Sequence, residues 1–197
     1  ALNGIIPHDI SITHIEECDE EFHARFSACG KTYIYLIDNA FFANPLLREH
    51  VWNVAKDLNL EAIEKGLEAL TGEHNFASFA ASKKDFVGST VRTISRFEIE
   101  KVSENLYCIA VTGNGFLYKM VRTLVGQLVD LGMGRLAIED LQGVIDAKCR
   151  TKSAATAPAH GLYLAEVYYS QEEFDTGLQR RPTDYYQELF RGCKKTN

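Results

Sequence analysis

An arginine at the edge of an apolar stripe is the first candidate for chemistry in this chain. Arg122 occurs in Asn114-Gly-Phe-Leu-Tyr-Lys-Met-Val-Arg122-Thr-Leu-Val-Gly126. Leu117, Val121, Leu124, Leu128 and Leu131 recur at steps of three and four residues, the pattern of an amphipathic helix with one buried face. A guanidinium at the edge of such a face is costly unless it has a partner, so it calls for an anion; spacing alone also admits a surface salt bridge. Tyr118 and Lys119 fall one turn before it on the same flank of that helix. Tyr33, in Lys31-Thr-Tyr-Ile-Tyr-Leu-Ile37, is not singled out by spacing, although a tyrosine does combine a flat face for stacking with an ionisable hydroxyl. Taken singly, Tyr33 also reads as sheet-face packing and Leu162 as core.

The elements that must position these residues follow from periodicity and turn chemistry. Asn114 and Gly115 suit the N-terminal flank of the central helix, and Gly132 with Gly134 its end. Lys31 to Ile37 is the clearest strand, with Tyr33, Tyr35 and Ile37 on one face and Thr32, Ile34 and Leu36 on the other. Ile10 to Ile15 alternates enough for another strand, and an acidic turn follows it. Leu60 to Leu70 reads as a helix capped by Asn59 and stopped by Gly72. Glu73 to Phe79 is irregular and aromatic, and residues 80–89 read as an exposed loop. Val91 to Lys101 and Leu106 to Thr112 form an antiparallel hairpin, and Ile138 to Ala147 a short helix with an acidic first turn. Lys152 to Gly161 is small and flexible in composition, Leu162 to Tyr169 is a last strand, and Thr183 to Phe190 suits a terminal helix. Strands and helices without regular βαβ alternation imply an α+β fold, with a mainly antiparallel mixed sheet and helices packed on one face. Residues 1–170 read as one domain and 171–197 as a tail.

Composition narrows the function classes. A length of 197 residues supports one domain with a real core, and no apolar run approaches a membrane span. Five scattered cysteines without a CxxC pair fit reduced thiols of the cytoplasm, and the six histidines show no metal-ligand spacing. No metal or cofactor is expected. The net charge of −6 argues on its face against a nucleic-acid partner, but the charge is uneven. Acidic residues crowd Glu16 to Glu21, Glu61 to Glu73 and Glu172 to Asp175, while Lys83, Lys84, Arg92, Arg96, Lys119, Lys148, Arg150 and Lys152 form basic groups. A basic groove with an acidic back is compatible with this pattern.

Several segments, in order and spacing, resemble one family. They are Phe22-His-Ala-Arg-Phe-Ser-Ala followed by Lys31-Thr-Tyr-Ile-Tyr, Gly72-Glu-His-Asn-Phe-Ala-Ser-Phe79, Asn114 to Gly126, and Ala154-Ala-Thr-Ala-Pro-Ala-His-Gly-Leu-Tyr-Leu164. From about Asn3 to Tyr169 the chain resembles the C-terminal part of TruA-type tRNA pseudouridine synthases. The resemblance implies isomerisation of uridine to pseudouridine in the tRNA anticodon stem-loop, with no cofactor, by a homodimer across which the tRNA lies. It implies that Tyr33 sits on the target base and assists proton removal at C5, that Arg122 pairs with the catalytic aspartate and helps open the stem, and that Leu162 forms the apolar wall beside the base. Under it, the basic residues named above become candidates for phosphate contacts.

The chain departs from that pattern at one point. The family's nucleophile is an aspartate in Arg-Thr-Asp-x-Gly-Val-His-Ala, a motif absent from these 197 residues. Asp130, eight residues along the same helix, lies about 12 Å from Arg122 and cannot replace it. Asp9, Asp38, Asp85 and Asp146 sit in no matching context. The expectation is therefore the C-terminal portion of an enzyme, inactive without an N-terminal half that carries the nucleophile. Two rivals are a non-catalytic RNA-binding module of the same fold and a protein-interaction domain unrelated to RNA.

Overall fold

Strand β1 (Gly30–Asp38) carries apolar side chains on both faces, so both faces must be covered. The computed structural model describes residues 2–81 and 88–191. In it, β5 (Leu106–Gly113) runs antiparallel to β1 along its whole length, from Lys31 opposite Gly113 to Asp38 opposite Leu106. β4 (Val91–Lys101) forms the hairpin with β5, and β3 (Gly72–Asn75) pairs with β4. The second edge of β1 is shared. β6 (Leu162–Tyr168) pairs antiparallel from Gly30 to Tyr35, and the short β2 (Trp52–Asn53) pairs parallel at Ile37 and Asp38. The result is a six-stranded, mainly antiparallel mixed sheet of an α+β fold, as the sequence implies.

Three helices cover the face bearing Tyr35 and Ile37. They are α1 (Leu60–Leu70), α2 (Met120–Gly132) and α3 (Ile138–Asp146). The Asn59 side chain caps α1 by accepting from the Ala62 N–H at 3.1 Å, and Glu139 and Asp140 fill the first turn of α3. The expectation of helices on one face holds for these three and fails for the C-terminal segment. There α4 (Gln171–Gly177) opens with a capping box of Ser170 and Glu173, and α5 (Pro182–Arg191) buries Tyr185 against Ile34, Leu36, Cys108 and Ala110 on the opposite face. The alternation along β1 requires this second cover, since Ile34 and Leu36 would otherwise face water.

Four local expectations are corrected. Residues 10–15 form no strand. All but the half-buried Ile12 are exposed, and the Asn3 side chain both donates to and accepts from the Ile12 backbone at 2.8 Å. They pair with no strand among the described residues. The central helix begins at Met120, not near Asn114: Lys119 adopts a left-handed conformation (φ 62°) that a helix cannot include, and Asn114 instead accepts from the Thr93 N–H. Glu73 to Phe79 is regular, made of β3 and a 3₁₀ turn over Phe76–Phe79. The small-residue run before β6 is pinned rather than loose. Most of the predicted 80–89 loop, with Lys83 and Lys84, lies outside the described residues, as does Lys194-Lys195.

Candidate active site

The pinned run is what assembles the site. Residues 154–157 lie antiparallel along α2 and bond to it through Ala154, Thr156 and Ala157. Gln127, itself buried, accepts from the Ala154 N–H at 2.9 Å, and the Thr123 and Thr156 hydroxyls meet at 3.4 Å. Arg122 donates through Nε to the Ala157 carbonyl at 2.7 Å, while its own carbonyl accepts from the Ala157 N–H at 3.0 Å. This strap can approach α2 only because residue 126 is glycine: a Cβ there would lie 2.1 Å from the Ala155 carbonyl oxygen. Pro158 then accepts from the Tyr35 hydroxyl at 2.7 Å, and Gly161 lies so close to the Tyr35 ring that a Cβ would come within 2.7 Å of it. The chain thus enters β6 with Leu162 opposite Tyr35 and Leu164 opposite Tyr33.

Tyr33, Arg122 and Leu162, far apart in sequence, therefore line one pocket of about 230 Å³. Phe116, Tyr118 and Lys119 complete its polar and aromatic wall. The Phe116 ring stands edge-on to Tyr33, with centroids 5.3 Å apart at 89°, which fixes the tyrosine in orientation. Burial raises the Tyr33 pKa above that of an ordinary tyrosine, and it raises that of Tyr35 as well, where the positive charge of Arg122 opposes the rise. Arg122 forms no salt bridge among the described residues. Its Nε donates to the Ala157 carbonyl, and among the described residues its terminal nitrogens make no hydrogen bond.

Of the aspartates weighed above, Asp38, Asp130 and Asp146 are engaged elsewhere, and Asp85 lies outside the described residues. Asp130 is paired with Arg135 at 3.0 Å, Asp146 accepts from Gln142, and Asp38 accepts from the Ala40 N–H. None of the three lines the pocket. Among the described residues no cluster of histidine, cysteine, aspartate or glutamate could hold a metal, and no helix is long and apolar enough to cross a membrane.

The cations proposed for phosphate contacts separate into groups. Lys119 lines the pocket itself. Arg92 lines an adjoining recess of about 360 Å³ together with Arg25, Phe26, Lys31, Asn114 and Phe116. Lys148 (φ 46°), Arg150 and Lys152 gather after α3, where Arg150 binds Ser153, the Ala154 carbonyl and the Thr156 hydroxyl and so braces the strap. Arg96 turns to the other side of the sheet, where it bonds to Glu98 and to the carbonyls of Leu178 and Arg180. Sequence reasoning missed Phe116, which lies inside the motif that singled out Arg122. The helical reading of Asn114 to Lys119 gave it the wrong surroundings.

The geometry can be set beside known proteins. The family model described as tRNA pseudouridine synthase matches residues 67–170. The tRNA pseudouridine synthase A of Ruminiclostridium cellulolyticum is 44% identical over 169 residues, covering 86% of this chain and 69% of that protein. Proteins of the same name from Limosilactobacillus reuteri (42% over 174 residues, 88% of this chain and 68% of the relative) and Acetivibrio thermocellus (38% over 169 residues, 86% and 68%) match alike. With more than a third of its residues shared over most of its length, the chain belongs to the tRNA pseudouridine synthase A family.

Proposed function

We propose that this chain supplies the base-holding side of a tRNA pseudouridine synthase site, acting on a uridine of the anticodon stem-loop. The observation that carries this reading is the convergence of Tyr33, Arg122 and Leu162 on one pocket large enough for a single base. Flipping a uridine out of the stack costs a few kcal/mol, and the pocket returns it through stacking and edge contacts. Tyr33 lies on the base as the neutral phenol that its burial favours, and its hydroxyl assists loss of the C5 proton by relaying it toward solvent. Leu162 closes the apolar side. The terminal nitrogens of Arg122 face the carboxylate that attacks, keeping it ionised. The carboxylate attacks as the bond from the ribose to N1 breaks, the base turns, and C5 bonds to the ribose carbon as the carboxylate leaves, with the C5 proton passing to solvent and N1 taking one up.

No aspartate of these 197 residues fits the nucleophile's motif, and the placements of Asp38, Asp130 and Asp146 support the same reading. The carboxylate is therefore supplied by a segment bearing Arg-Thr-Asp-x-Gly-Val-His-Ala, and this chain alone is inactive. Residues 1–170 form the synthase portion, and the working enzyme is a cytoplasmic homodimer on its tRNA. Tritium release from tRNA carrying 5-tritiated uridine tests the proposal. Release is expected only when a polypeptide with that motif is added and associates. Release by the chain alone, or none from the folded and associated pair, contradicts it.

A further inference from the structure

Three cations surround the recess beside the pocket. Arg25 comes from the turn before β1, Lys31 from β1 itself and Arg92 from β4. No carboxylate lines the recess, and among the described residues none of the three cations enters a salt bridge. In a chain of net charge −6 this is a marked local excess of positive charge. The cations are also pre-positioned. The Arg92 guanidinium donates to the Ser89 and Val91 carbonyls at 2.8 and 2.6 Å, and its stem crosses the face of Gly115. The Arg25 turn is closed by the His23 ring, which accepts from the Arg25 and Phe26 N–H groups, and is tied to the end of β6 by the Tyr169 hydroxyl on the Ala24 carbonyl. The Arg25 guanidinium lies 5.3 Å from the centre of the Phe26 ring, which is 75% exposed.

The recess and the pocket share a wall. Phe116 lines both. Lys31 and Tyr33 project from the same face of β1, two residues and so about 7 Å apart along the strand. That separation suits a base on one side of the Phe116 ring and its backbone on the other.

We propose that Arg25, Lys31 and Arg92 form the seat of the phosphodiester flanking the flipped uridine, with Phe116 as the septum between base and backbone. This rests on the reading of the pocket as the uridine site. A guanidinium pair with one ammonium matches the oxygens of a phosphodiester and reads no sequence, so the seat fixes where the backbone passes and leaves base choice to the pocket.

The test is equilibrium binding of the 197-residue chain to an anticodon stem-loop RNA across a salt series. Arg25→Gln, Lys31→Gln and Arg92→Gln are each expected to weaken binding about tenfold and to lower the slope of log affinity against log salt by about 0.7. Arg92→Lys, which keeps the charge, retains the slope, and Lys101→Gln at the hairpin tip leaves both quantities unchanged. An RNA with a methylphosphonate at the flanking position is expected to bind the unaltered chain as weakly as the variants do, and to be insensitive to the three substitutions. Variants that bind like the unaltered chain, or that lose as much affinity for the methylphosphonate RNA as for the natural one, overturn the seat and leave the function standing. Absence of RNA binding by the unaltered chain at low salt overturns both.

Discussion

In the site proposed above, Tyr33 serves as a surface for the base and as a hydroxyl near its C5, and its half-buried setting favours the first more strongly. Partial burial raises its pKa, so the phenol persists through neutral pH and well into the alkaline range. The absorbance change lost in Tyr33→Phe is expected to titrate above the ordinary tyrosine value of about 10; titration at or below that value contradicts the burial. The sign for stability follows. The folded chain holds this proton more tightly than the unfolded one, so the contribution of Tyr33 is intact below the unfolded pKa and is lost as pH rises through the folded one. Cysteine reactivity offers a parallel check. Burial pushes the Cys108 thiol up to about 12, whereas the Thr151 hydroxyl and backbone lower that of the exposed Cys149. Alkylation at neutral pH followed by mass spectrometry is expected to modify Cys149 before Cys108, and the reverse order would refute the burial of Cys108.

At the scale of elements, the strap on α2 decides whether the pocket exists. Gly126→Ala drives a methyl into the Ala155 carbonyl and is expected to cost about 1–3 kcal/mol in chemical denaturation, with a fall in RNA affinity. Gly143→Ala, at an exposed position of α3 where a Cβ meets nothing, is expected to stabilise the chain by about 0.5–1 kcal/mol. Equal effects of the two substitutions would contradict the strap's role. The strap also marks where sequence reading failed. The bounds of α1 and the hairpin of β4 and β5 were legible because caps, periods and turns are local signals. Alanine, threonine and proline in the strap send no such signal, since what orders them is main-chain bonding to a helix some thirty residues earlier. The start of α2 was misread because Leu117 continues the apolar spacing, while the left-handed turn at Lys119 leaves no trace in periodicity. Arg122 drew notice from its place on the apolar stripe, whereas Tyr33 and Leu162 could be named only through the resemblance of whole motifs. Residue types alone left each of them with an ordinary structural reading.

At the scale of the molecule, the two faces of the sheet do different work. One carries the pocket and its helices. The other is sealed by the C-terminal pair, where a buried chain of hydroxyls links Thr112, Thr32, Tyr168 and Tyr185 at 2.7, 2.8 and 2.9 Å and ends on the Gly177 carbonyl. Arg180 stacks on Tyr185 and pairs with Glu166 and Glu188, fastening α5 to β6. Because Thr32 adjoins Tyr33 on β1, this seal is expected to stiffen the strand that carries Tyr33. Tyr185→Phe removes two hydrogen bonds from a buried network and is expected to cost about 1–3 kcal/mol. Ending the chain at Ser170 is expected to lower the thermal midpoint and to open Cys108 to alkylation; a truncated chain with an unchanged midpoint would show the seal to be dispensable. The central claim, that a tRNA uridine enters the pocket bounded by Tyr33, Arg122 and Leu162, does not depend on the nucleophile. It is tested most directly by photocrosslinking the chain to an anticodon stem-loop carrying 4-thiouridine at single positions and mapping the adducts by mass spectrometry. The account predicts one position whose adducts fall on Tyr33, Phe116 or Tyr118. Adducts confined to the face covered by α4 and α5, or scattered alike for every uridine, would contradict it.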